Sequence, residues 1–146
     1  MSATRRGFLA GSAGLLTTMG AAAAPATGKM PTRTLGKTGL KPTVLGFGCM
    51  LTSDASVIEQ AADIGINWFD TARGYQNGNN ERMVGAALKS RRDKIHVTSK
   101  TQAKTKADAF AHLDKTLSEL QTDHIDVWYL HSRQTPATVP DELFDA

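Results

Sequence analysis

A parallel α/β sheet is the fold class that this 146-residue sequence predicts. Two observations lead there. From Arg33 onward, short apolar runs alternate with segments of helical period. The later runs are apolar almost throughout, as in strands covered on both faces, and such strands are joined by right-handed crossovers.

Each element follows in order. RTLGKTGLKPTVLGFG reads as a hairpin leading into a strand, with Gly36 and Gly39 at the turn and Val44 to Phe47 as a buried run. Asp54 is a candidate cap for a helix reaching Gly65, with Val57, Ile58, Ala61, Ala62 and Ile64 on one side. Ile66 to Phe69 is the second strand. A loop rich in Gly and Asn follows, and Asn80 starts a helix carrying Met83, Val84, Ala87 and Leu88. Ile95 to Ser99 is a β-branched strand. Thr105 to Leu120 is a helix with Ala109, Leu113, Leu117 and Leu120 at core spacing. Ile125 to Leu130 is the fourth strand, and PDELFDA begins a further helix. Two architectures fit this order: an open doubly wound sheet or a (β/α)8 barrel. Gly46-Phe47-Gly48 lacks the third glycine of a dinucleotide-binding turn, because Leu51 stands in its place.

Composition excludes several classes. Forty per cent hydrophobic residues suit a packed core. A single cysteine, Cys49, permits no internal disulfide framework and no cluster held by several thiolates. The net charge is +3; without Arg5 and Arg6, 15 basic side chains face 14 acidic ones. That balance, with no basic stripe among aromatics, argues against nucleic acid as a partner.

Residues 1–26 have a basic start, a weakly apolar run from Phe8 to Ala24, and a small-residue cleavage pattern at Ala24-Pro25-Ala26. Thr4-Arg5-Arg6-Gly7-Phe8-Leu9 looks like a bacterial twin-arginine export signal, with Ala10 where Lys is common. The expectation is a signal peptide over 1–26 and export to the periplasm. The alternative is a cytoplasmic protein with a disordered or amphipathic tail. The run is too weakly hydrophobic for a stable membrane span.

Chemistry concentrates at the strand ends. The second strand ends in Asp70, the third in Lys100 and the fourth in His131, with Tyr75 in the loop after Asp70. Parallel α/β folds gather their sites at the carboxyl ends of strands. An unassisted tyrosine is a poor proton donor at neutral pH, since its ordinary pKa is about 10. A neighbouring ammonium stabilises the phenolate, and an aspartate keeps a buried lysine charged. A histidine beside the phenol can orient a substrate oxygen. Such a set protonates a carbonyl oxygen while hydride arrives from elsewhere. No side chain donates hydride, so a nicotinamide cofactor is implied.

RTLGKTGL, VLGFGCM, GINWFDTARGYQNGNNE, HVTSKT and DHIDVWYLH together resemble the aldo-keto reductase family over about Arg33 to His131. The resemblance implies a parallel (β/α)8 TIM barrel, of which residues 27–146 would hold about the first four β/α units. It implies reduction of an aldehyde or ketone to an alcohol. Tyr75 would be the general acid–base, tuned by Lys100 and Asp70 and assisted by His131. Asp70 would lie near the nicotinamide ribose, and Gly48, Cys49 and Met50 would flank the cofactor, NADP(H) in preference to NAD(H). A full barrel needs about 250 residues. The chain is therefore expected to be part of a longer reductase or a truncated product, with little activity alone. Rival readings are a non-catalytic cofactor-binding regulatory subunit and a half-barrel that dimerises through its open edges. The sequence specifies neither the carbonyl substrate nor the oligomeric state.

The remaining candidates have structural readings. His96, His112 and His124 are structural or surface residues, and no pair has metal-ligand spacing, so no metal is expected. Cys49 has no base partner and is not assigned as a nucleophile. Glu81 fits either a helix cap or a brace for the Tyr75 loop. Trp68 and Trp128 fit the core.

Overall fold

The computed structural model describes residues 29–145, so the leader expected over 1–26 lies outside the described residues. Four strands form one sheet: β1 (Phe47–Gly48), β2 (Trp68–Asp70), β3 (His96–Thr101) and β4 (Val127–Leu130). They are parallel and lie in chain order, β1-β2-β3-β4. A doubly wound sheet would reverse its strand order part-way; a barrel wall keeps neighbours in sequence adjacent in space.

Three helices make the crossovers: α1 (Ala55–Asp63), α2 (Asn79–Leu88) and α3 (Lys106–Leu120). Their starts follow local chemistry. Asp54 accepts a hydrogen bond from the Ser56 amide at 2.9 Å, and Thr105 accepts from the Asp108 amide at 3.1 Å. Gln121 closes α3 in the left-handed region, its amide returning to the carbonyl of Ser118.

The core lies between sheet and helices. Ile58, Phe69, Val84, Leu88, Val97 and Leu120 form its centre. Gly85 lets α2 meet α3, since a Cβ there would stand 2.5 Å from the carbonyl oxygen of Leu120. A smaller cluster joins Ala103, Ala109 and Leu143, with Trp128 and Leu130 against it.

Several expectations from sequence are corrected. The hairpin is present but short: its arms are joined by the amides of Arg33, Leu35 and Val44 to the carbonyls of Pro42, Leu40 and Pro31 at 3.0, 2.9 and 2.9 Å, and only Thr32 and Thr43 form a bridge. The first strand does not begin at Val44, and Val44 and Leu45 are exposed. Thr43 and Asn67 hold each other instead, through bonds of 2.6 and 3.1 Å, and the chain joins the sheet only at Phe47. On α1, Ile58 and Ala61 are buried, whereas Val57 and, just past the helix end, Ile64 are exposed. β4 is half-exposed rather than covered on both faces, because it is an edge strand and Tyr129 points out. The last segment forms only a 3-10 turn, Asp141–Leu143, which lowers Leu143 into the smaller cluster and leaves Phe144 exposed.

Candidate active site

The β2–β3 ladder outlasts β2. The Thr71 amide donates to the Thr98 carbonyl at 2.9 Å, and the Arg73 amide to the Lys100 carbonyl at 3.0 Å. This continuation carries the loop along the end of β3. The Tyr75 amide then turns back to Ala72, and the phenol comes to lie beside Lys100.

Lys100 is the centre of the cluster. Its ammonium donates to Asp70 Oδ2 at 2.6 Å, to the Thr71 carbonyl at 2.8 Å and to the Tyr75 oxygen at 3.3 Å. An ammonium has three protons, and each has an acceptor here. The charge also sits 4.9 Å from the Tyr75 ring centroid. Thr98 donates to the other Asp70 oxygen at 2.7 Å, which fixes the carboxylate plane. His131 follows β4, its amide bonded to Thr101 at 2.7 Å. Its ring meets Tyr75 edge-on, centroids 5.6 Å apart and planes at 82°. Its Nδ1 is buried with no hydrogen-bond partner among the described residues. Asp70, Tyr75, Lys100 and His131, drawn from three strand ends and a loop, therefore form one continuous cluster.

Gly48, which ends β1, and the two residues after it divide. A Cβ on Gly48 would meet nothing within 4 Å, and Met50 is half-exposed. Cys49 is fully buried, its thiol turned toward the Phe47 carbonyl. Burial pushes that thiol up to about 12, with the Asp70 carboxylate adding to the effect, which suits its reading as no nucleophile.

Of the other histidines, His96 and His112 are partly buried, and His124 lies at the surface. His96 pairs with Asp126 at 3.0 Å, His112 with the Thr101 hydroxyl at 2.7 Å and His124 with Asp123 at 2.6 Å. Among the described residues no group of three or more His, Cys, Asp or Glu could hold a metal ion. No described helix is long and apolar enough to cross a membrane. Trp68 and Trp128 are partly buried in their strands.

Sequence reasoning missed the polar layer behind the site. Asn80 is fully buried, donating to the Cys49 carbonyl at 2.8 Å and accepting from the Thr71 hydroxyl at 2.6 Å. Glu81 resolves to the loop brace: its carboxylate takes bonds from Arg73 and from Ser99, the latter at 2.7 Å. The available signal was Thr98, Ser99 and Thr101, three hydroxyls in a strand that had to be buried and so required partners.

Fold and site together define a protein of the parallel barrel type with a polar cluster on its carboxyl rim. Residues 49–146 match the Aldo/keto reductase family, and the chain belongs to that family. It is 33% identical over 131 residues to an uncharacterized oxidoreductase of Bacillus subtilis, covering 78% of this chain and 42% of that one. It is 33% identical over 122 residues to L-galactose dehydrogenase of Arabidopsis thaliana, covering 70% and 38%. The chain thus spans about two-fifths of the length of the curated relatives it matches. Among solved structures it resembles the holo form of a Bacillus halodurans aldo-keto reductase, with 37% identity, a TM-score of 0.63, and 69% and 40% of the two chains covered. A Klebsiella pneumoniae aldo-keto reductase in complex with NADPH aligns at 27% identity and a TM-score of 0.60, covering 73% and 40%.

Proposed function

We propose that this chain carries the proton-transfer half of a nicotinamide-dependent carbonyl reductase that converts an aldehyde or ketone to an alcohol. One observation carries the reading: a single ammonium, Lys100, is hydrogen-bonded to both a carboxylate and a phenol at the end of a parallel strand.

The residues present fit a nicotinamide riboside. Both Asp70 oxygens accept one bond each and keep lone pairs for a ribose hydroxyl, and the carboxylate is one-third exposed. Gly48 and Met50 offer an open, partly apolar flank, while Cys49 contributes beneath it from the core. When bound, the cofactor supplies hydride to the carbonyl carbon. The chain's own residues manage the proton. Tyr75 gives its phenol proton to the developing alkoxide, and Lys100 stabilises the phenolate that remains. Asp70 keeps Lys100 charged, and Thr98 holds Asp70 in line. His131, against the Tyr75 ring, orients the substrate oxygen. A solved relative in complex with NADPH supports NADP(H) over NAD(H) as the cofactor.

The test is Tyr75→Phe in a full-length context. Carbonyl reduction falls by about 10²- to 10⁴-fold, the range for losing a general acid, while NADPH affinity is kept. Unchanged turnover overturns the assignment. Export is part of the same proposal, on the sequence of residues 1–26. A reporter fused after residue 26 reaches the periplasm with Arg5 and Arg6 intact. It stays in the cytoplasm when Arg5→Lys and Arg6→Lys are combined; equal export of both removes the twin-arginine reading.

A further inference from the structure

The loop that presents Tyr75 leaves it in an unusual way. Gln76, Asn77 and Gly78 follow at φ 49°, 55° and 85°, three consecutive residues in the left-handed region. Side chains other than glycine adopt that region at a cost, so the surroundings must hold the turn in place. Gln76 is anchored from one side, donating to the Thr52 carbonyl at 2.8 Å and the Met50 carbonyl at 3.3 Å.

Arg73 holds the other side. Its guanidinium crosses over Gly78 to reach Glu81 on α2 and Glu119 on α3, the second at 3.2 Å. A Cβ on Gly78 would overlap Arg73 Nη2 and stand 3.2 Å from Glu119 Oε2, so the crossing depends on that glycine. Both carboxylates are buried, with side-chain exposures of 0% for Glu81 and 5% for Glu119. Each is bound again elsewhere. Ser99, next to Lys100, donates to Glu81 at 2.7 Å, and Arg82 and Lys115 reach Glu119 at 2.9 and 3.0 Å. A chain of contacts thus runs from β3 beside Lys100, through Glu81 and Arg73, to the loop carrying Tyr75.

We propose that Arg73, passing over Gly78 onto Glu81 and Glu119, is a positioning residue that sets the separation between Tyr75 and Lys100. It touches neither the phenol nor the ammonium. It acts by fixing the left-handed turn that ends the loop, and Glu81 ties that turn to the strand bearing Lys100. The inference rests on the Tyr75–Lys100 reading above.

The test needs no turnover and reads the separation itself. The 146-residue chain has two tyrosines, so in a Tyr129→Phe background the ring signals of Tyr75 stand alone in a proton spectrum. The parent shows a nuclear Overhauser contact between the Lys100 ε-methylene and the Tyr75 ring, since Nζ lies 4.9 Å from the ring centroid. The expected result is loss or marked weakening of that contact in Gly78→Ala and Arg73→Lys variants whose circular dichroism matches the parent. If one variant fails to fold, the other gives the answer, and Arg73→Met, which removes the guanidinium altogether, stands behind both. A parent-like contact in every folded variant overturns the positioning role alone. Absence of the contact in the parent removes the Tyr75–Lys100 pairing itself, and both readings fall with it.

Discussion

Lys100 Nζ lies 3.3 Å from the phenol oxygen of Tyr75, a residue 25 positions earlier in the chain. The ammonium belongs to a strand and the phenol to a loop, so their contact is a tertiary product of the parallel ladder. Replacing Lys100 by Met removes the charge beside the phenol and leaves Asp70 accepting only from Thr98 among these bonds. In a full-length reductase, turnover then falls by about 10²-fold or more, the scale for losing one preorganised electrostatic partner. Lys100→Arg does not restore it, because a planar guanidinium cannot reproduce three divergent ammonium bonds. Steady-state kinetics of both variants check this, and near-parental rates from Lys100→Met contradict it.

Asn80 ties the loop after β1 to the loop after β2 from a fully buried position. Asn80→Ala leaves the Cys49 carbonyl and the Thr71 hydroxyl without that partner. Losing such bonds costs about 1–3 kcal/mol. Urea denaturation measures it, and an unchanged midpoint shows that other groups take over.

Gly85 sets the approach of α2 to α3. An added methyl would meet the backbone of Leu120 at 2.5 Å, and a backbone cannot swing aside as a side chain does. Gly85→Ala therefore destabilises by about 1–3 kcal/mol despite the better helix propensity of alanine. Thermal unfolding of the variant shows the loss; a gain in stability rules out the close approach.

Asp126 gives the fold an acid dependence. Burial pushes its carboxyl up, but His96, the Val97 amide and Arg92 outweigh that and hold it below the ordinary value. The ionised form is thus favoured in the folded chain. Its stabilisation is complete above the unfolded-state value of about 3.9 and is lost as pH falls through the lower folded-state value. Asp126→Asn is accordingly less stable than the parent at pH 7, and the gap narrows on acidification toward pH 3. Urea midpoints at stepped pH values follow it. A gap that stays constant with pH assigns the effect to packing.

Asp70 and His131 were legible in the sequence because each follows an apolar run where a strand must end, and Lys100 because a charged residue stands near the end of a β-branched strand. The alternation of runs and helical segments likewise gave the element order. What was hidden depends on partners distant in the chain. Arg73 meets Glu119 across 46 positions, and Asn80 meets Cys49 across 31, with no local pattern to announce either. Tyr129 shows a different limit: an apolar strand reads the same whether it lies inside a sheet or at its edge.

β3 is paired on both sides, and Val97, Thr98, Ser99 and Thr101 are almost wholly shielded from water. Its amides are the last to exchange with deuterium, whereas the left-handed turn after Tyr75 opens sooner. The cluster therefore comes apart in a fixed sequence. The Tyr75 phenol departs while Lys100 stays seated beside Asp70, whose own strand is likewise paired on both sides.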